Sequence, residues 1–168
     1  MSANSLPSEI PFSNKRASRH LRGWFFLVGA LAVHVIDEAM PGFLGFYSPL
    51  VRSIRSRVPW FPMPTFTFGI WLAGLTAGVL LLVLLAQAVH RNASGTRLAS
   101  WLLSGIMFLN GLGHLGGSLF FRRWLPGTTS APLLLFGSIL LARRTWERSR
   151  WASAGLDEVP DRQRLSHW

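Results

Sequence analysis

No cysteine occurs among the 168 residues, so disulfides and thiolate metal ligands are excluded. Charge is scarce as well. Asp, Glu, Lys and Arg together make up 14% of the chain and hydrophobic residues 49%, where soluble domains carry roughly 25% charge. Only seven residues are acidic. The sequence has no phosphate-binding glycine loop, no serine-nucleophile motif and no internal repeat, which argues against nucleotide-cradling, acyl-serine and solenoid classes. It also lacks the period-two alternation of a membrane barrel. The length bounds the chain to one domain.

What is present is basic and apolar. A net charge of +10 would suit nucleic acid, but the basic residues are nearly all Arg and sit at the ends of apolar segments, as membrane-flanking residues do. The reading is a lipid-bilayer partner and no nucleic acid. Four apolar segments cover residues 23–40, 66–90, 98–121 and 125–142. A span needs about 20 mainly apolar residues, so all four qualify, the last only just. Backbone groups in lipid must be satisfied internally, which favours helices. The expected fold is all-α: a four-helix transmembrane bundle between tails at 1–22 and 148–168. Twelve Lys and Arg residues fall on the side of the two tails and the 91–97 connection, against five on the other. Both termini are therefore expected in the cytoplasm, with the chain in the inner membrane of a bacterium. Lys15 to Arg22, Trp24 to Ala30 and Ala30-Leu31-Ala32 imitate a cleavable signal peptide. Its charged region would be unusually long and cleavage would leave His34 at a free end, so the first segment is read as a retained span.

Ionisable residues inside that span carry the functional argument. His34, Asp37 and Glu38 lie at i, i+3 and i+4 and share one helical face. A charged side chain at mid-bilayer costs roughly 2.5–3.5 kcal/mol on insertion scales. The eight Phe, Leu, Val and Ile residues of the span return about 2.4–4.8 kcal/mol in total, at 0.3–0.6 each. Asp37 and Glu38 are therefore expected near the interface, paired, metal-bound or protonated. Asn110 and His114 repeat the i, i+4 pattern in the third segment. Both segments run outward, and His34 and His114 fall late in each, so the two imidazoles are expected at one depth in the outer half of the membrane. Thr129 and Ser130, at the start of the fourth segment, meet them there. His20 and His167 fall in tails, and His90 ends the second span.

The connection from Pro41 to Pro64 reads as a short amphipathic interfacial helix. Ser48 caps it, Pro49 is its first residue, Leu50, Val51, Ile54 and Val58 form one face, and Arg52, Arg55 and Arg57 the other. Phe43, Phe46, Tyr47, Trp60 and Phe61 serve as boundary anchors. The arginines suit a solvated face first and a lid contacting substrate second. Gly113 and Gly117 form a small-xxx-small pair suited to close helix contact.

The segment HVIDEAMPGF from His34, NGLGH from Asn110 and PGTTSAPLLL from Pro126 resemble the HXXEE family of bacterial membrane proteins, over residues 24–145. The resemblance implies no reaction, because the family is defined by its motif and its function is unknown. His34 and Glu38 match the motif's His and final Glu, while Asp37 replaces the first Glu and shortens its reach.

Three chemistries suit these residues. His34 and His114 with Asp37 or Glu38 make a two-His, one-carboxylate set for a single Zn, Mn or Fe ion, with open positions for water or substrate and Asn110 orienting His114. A two-metal site is disfavoured, since only one helix supplies acids. Without metal, Glu38, His34 and Asp37 could exchange protons with a lipophilic small molecule. A small transporter or proton relay, in which the carboxylates load and release a cation, is the third possibility. Against all of these stands simple hydrogen bonding between helices, about 0.6 kcal/mol per pair. Five polar groups at one depth exceed what that glue requires.

Overall fold

Breaks in the apolar runs set the helix ends. In the computed structural model of the protein, which describes residues 11–157 apart from 61, 92 and 94, the chain forms α1 (Pro11–Ala39), α2 (Phe43–Arg57), α3 (Phe68–His90), α4 (Thr96–Phe120) and α5 (Ala131–Asp157). The described residues contain no strand. Gly42 and Gly95 precede α2 and α4 with φ of +78° and +85°, left-handed values open to glycine. Thr67 caps α3 by accepting from the Ile70 amide at 3.4 Å.

The bundle exposes an apolar surface and buries polar side chains beside its apolar core, an arrangement suited to a bilayer. Ile70, Leu80, Leu84, Leu102, Ile106 and Leu109 are exposed, while His34, Glu38, Ser100, Ser104, His114 and Ser138 are buried. α5 packs along both α1 and α4, and α3 packs along α1. Trp24, Leu27, Leu31, Leu134 and Leu141 form the α1–α5 core, joined by Leu82 and Val89 of α3. The Trp24 indole donates to the Leu82 carbonyl at 3.0 Å and ties α3 to α1.

Among the described residues three helices, not four, are long and apolar enough to cross a membrane: Ser18–Ala39, Phe68–His90 and Thr96–Phe120. The expected span over 125–142 fails because its first six residues are loop, so only Ala131 to Ala142 of α5 is apolar before Arg143 and Arg144. Twelve helical residues cover about 18 Å, against a hydrocarbon core of about 30 Å.

Other expectations shift too. α2 starts at Phe43, six residues before Pro49, which lies inside the helix, so Ser48 is not its cap. Val51 is buried, and Arg52, Arg55 and Arg57 are exposed as the amphipathic pattern required. Close contact centres on Gly111 rather than Gly113. A Cβ at Gly111 would come 2.9 Å from Leu135, whereas one at Gly113 would meet nothing within 4 Å.

His20 is not a tail residue. It is buried between α1, α4 and α5, its Nε2–H shared between Ser100 Oγ at 3.1 Å and Thr145 Oγ1 at 3.3 Å, with Arg148 donating to Nδ1 at 3.3 Å. Both hydroxyls spend their own protons on carbonyls one turn back, those of Thr96 and Leu141, which fixes this tautomer. The far tails, with Arg162, Arg164 and His167, and the anchor Phe61 lie outside the described residues.

Candidate metal centre

The spacing of α1 and α4 brings their polar stripes together at the α2 end of the bundle. The His34 and His114 rings lie 4.7 Å apart, edge to face at 79°. Glu38 lies between them, with Oε1 at 2.9 Å from His114 Nε2 and 3.6 Å from His34 Nε2. One donor atom from each of the three residues falls within 4.8 Å of the others. Donors on a tetrahedral ion with bonds of about 2.0–2.1 Å stand about 3.3 Å apart, so the observed pair distances bracket that value.

The remaining ring nitrogens fix the tautomers. His114 Nδ1 is 2.7 Å from the Pro126 carbonyl, which can only accept, so Nδ1 carries hydrogen and in the neutral ring Nε2 presents its lone pair to Glu38. His34 Nδ1 is 2.8 Å from Ser130 Oγ. The Ser130 hydroxyl donates to Asp37 Oδ2 at 2.7 Å. Its oxygen therefore accepts from His34 Nδ1, and His34 Nε2 is left bare. That buried nitrogen has no hydrogen-bond partner among the described residues, an unusual state for a buried polar atom and the expected one for a metal-ligand atom.

Asp37 thus stands outside the ligand group. Its Oδ2 also accepts the Ser130 amide at 2.8 Å, at the first turn of α5, where a negative charge is favoured by the helix dipole. The chain Asp37–Ser130–His34 aims one imidazole, and the Pro126 carbonyl aims the other. Replacing Ser130 with Ala should lower metal affinity 10- to 100-fold, the usual cost of losing a partner behind a ligand. Titration of metal-stripped protein would measure it, and an unchanged affinity would refute the orienting role.

Asn110 reaches toward the His34 ring without closing a hydrogen bond to Nε2, and no bond from it orients His114. It lines, with His114, a cavity of about 330 Å³ walled by Phe43, Phe46 and Tyr47. Burial pushes the Tyr47 phenol up from its ordinary range, so it stays protonated and donates to the Pro64 carbonyl at 3.0 Å. Thr129 is exposed and accepts from Trp124 Nε1 at 3.2 Å. Arg52 and Arg55 do not line this cavity.

Two residues at the centre escaped the sequence reading. Gly127 has φ +85°, and a Cβ there would sit 2.7 Å from His114 Cε1 and Nδ1 and 3.0 Å from His34 Cε1. Pro126 supplies the carbonyl. The Pro-Gly dipeptide before a helix start is the signal that marks such a turn, but nothing in it specifies two rings above.

A family model for a protein of unknown function with an HXXEE motif matches residues 24–141, an interval that holds all three candidate ligands. No curated protein and no solved structure matches the chain.

Proposed function

This chain belongs to the HXXEE family, whose function is unknown, and we propose that it is a membrane metalloenzyme in which His34, Glu38 and His114 hold one divalent ion, Zn, Mn or Fe, beside a lipophilic substrate. One observation carries the reading: both imidazoles are held from behind at Nδ1 and turn Nε2 on one buried carboxylate, and His34 Nε2 has no hydrogen-bond partner among the described residues. An ion with three protein donors keeps a place for water or substrate and supplies Lewis acidity there. The residues supply the rest. Glu38 neutralises, Asp37 and Pro126 hold the rings, and the apolar walls exclude water.

The arginine-rich end of the bundle supports an orientation. Arg148 contacts His20 and the Arg144 stem lies beside Gly23, so basic residues of α1 and α5 gather at the end opposite the site. We place that end in the cytoplasm, which puts the centre toward the outer face.

A second reading has its own support. The 2.9 Å contact between His114 Nε2 and Glu38 is a hydrogen bond when one proton is shared, which suits metal-free acid–base chemistry. A relay through the membrane has less behind it. The other buried imidazole, His20, lies fourteen residues from His34 along α1, with Leu27, Leu31, Leu134 and Leu141 packed between.

Metal analysis of protein purified without a polyhistidine tag separates the readings. One equivalent of a transition metal is expected, and chelation should lower the thermal midpoint. Protein that carries no metal and gains no stability from added Zn, Mn or Fe would end the metal reading in favour of the acid–base one.

A further inference from the structure

The α4–α5 corner carries two arginines that the centre described above does not use. α4 closes with the Phe121 amide on the Gly117 carbonyl, the Arg122 amide on Leu119 and the Arg123 amide on Ser118. This places Arg122 at φ +51°, where helices ordinarily end in glycine. A side chain kept at a strained backbone position is a mark of function. Next to it, the Arg123 guanidinium lies 4.9 Å over the Phe46 ring of α2. Neither arginine has a carboxylate partner, since the ion pairs among the described residues are those of Glu38 with the two histidines and Arg144 with Glu147.

Two grooves meet at this corner. One of about 770 Å³ runs from Arg123 and Trp124 past Phe46 to Asp37 and Met40. The other, of about 620 Å³, is lined by Arg122, Arg123, Leu115 and Leu119. Arg123, Trp124 and Thr129 line both. Trp124, Leu119 and Phe120 are at least three-quarters exposed, as residues bathed in lipid or headgroups are. The first groove therefore joins the Arg123 cation at its rim to the carboxylate behind His34, and the second offers an apolar channel from the same cation along α4.

We infer that the Arg122–Arg123 corner binds the anionic headgroup of an amphiphile, a phosphate or carboxylate, with its apolar chain along the α4 groove. The inference rests on the proposed lipophilic substrate and narrows its class. Guanidinium groups match phosphate and carboxylate geometry. Asp37 at the other end of the first groove repels the headgroup, so the charged end stays at Arg123.

Nanodisc-embedded protein, titrated with a fluorescent single-chain phosphate amphiphile, its phosphocholine analogue and inorganic phosphate, tests this. The anionic amphiphile should bind at least tenfold tighter than the zwitterionic one, and Arg123→Ala should erase that difference, by the usual worth of a charge-assisted hydrogen bond. Arg123→Lys should restore part of it, and inorganic phosphate should compete weakly. Equal binding of both amphiphiles, or a preference surviving in Arg123→Ala and in Arg122→Gly/Arg123→Ala, would overturn the inference. Competition by phosphate as strong as by the amphiphile would also overturn it, showing a free-anion site. Metal content, measured on the same samples, should not change in Arg123→Ala, so failure of the headgroup site and failure of the metal centre read out separately.

Discussion

Glu38→Gln is expected to strip the protein of metal while leaving it folded. Glu38 is the one carboxylate among the three candidate donors, and both imidazole Nε2 atoms face its Oε1. Gln has the same shape and one fewer charge, so a divalent ion in this buried pocket would be left without an anionic ligand. The loss should exceed about a hundredfold in affinity, the upper end of what removing a mere supporting partner costs. Stability of the metal-free form should hardly fall. A buried carboxylate carries a desolvation cost that the amide does not, and the amide nitrogen has two hydrogens to donate to the bare Nε2 atoms of His114 and His34. The measurements are metal stoichiometry and thermal midpoint with and without chelator. The wild type should lose its chelator-sensitive increment and the variant should have none to lose. A Gln variant that keeps stoichiometric metal would remove Glu38 from the ligand set.

The outcome at Glu38 turns on features that the sequence makes visible. His34 and Glu38 are one turn apart inside an apolar run, His114 is late in another, and the insertion cost of such groups obliges them to find one another. Partner choice within the cluster was not legible. Asp37 and Glu38 are adjacent and chemically alike, yet one helical step of about 100° directs Asp37 to the first turn of α5 and Glu38 to the imidazoles. Asn110 has the right spacing to support His114, but the Pro126 carbonyl does so, a contact set by the path of the loop and not by periodicity. Ser130 could be placed near the site but not assigned its link to His34. The fourth helix misled for a different reason. Hydropathy counts residues in a window and cannot see that Leu125 to Ser130 is loop, so it lengthened α5 by six residues. His20 was obscured by the arginines around it, although helix α1 continues through them.

Gly127→Ala should be the most damaging single-methyl change in the chain, and its effect can be divided into parts. At φ +85° an L side chain strains the backbone, by about 1–2 kcal/mol for a residue forced into the left-handed region. Gly95 shares the positive φ of +85°, and a Cβ there meets nothing within 4 Å. Gly95→Ala therefore serves as the control for backbone strain alone. At Gly127 the methyl would also fall 2.7 Å from the His114 ring and 3.0 Å from His34, both pinned by their Nδ1 hydrogen bonds. The rings must then move, breaking the Pro126 or Ser130 bond, at about 1–3 kcal/mol for a buried group left unpaired or a core overpacked. Metal affinity should fall with that displacement, by 10- to 100-fold or more, whereas Gly95→Ala should leave it unchanged. The comparison is of thermal midpoint and metal titration in the two variants. If Gly127→Ala loses no more stability than Gly95→Ala and binds metal as the wild type does, the imidazoles are not held against this turn, and the rigid two-His geometry on which the centre depends is wrong.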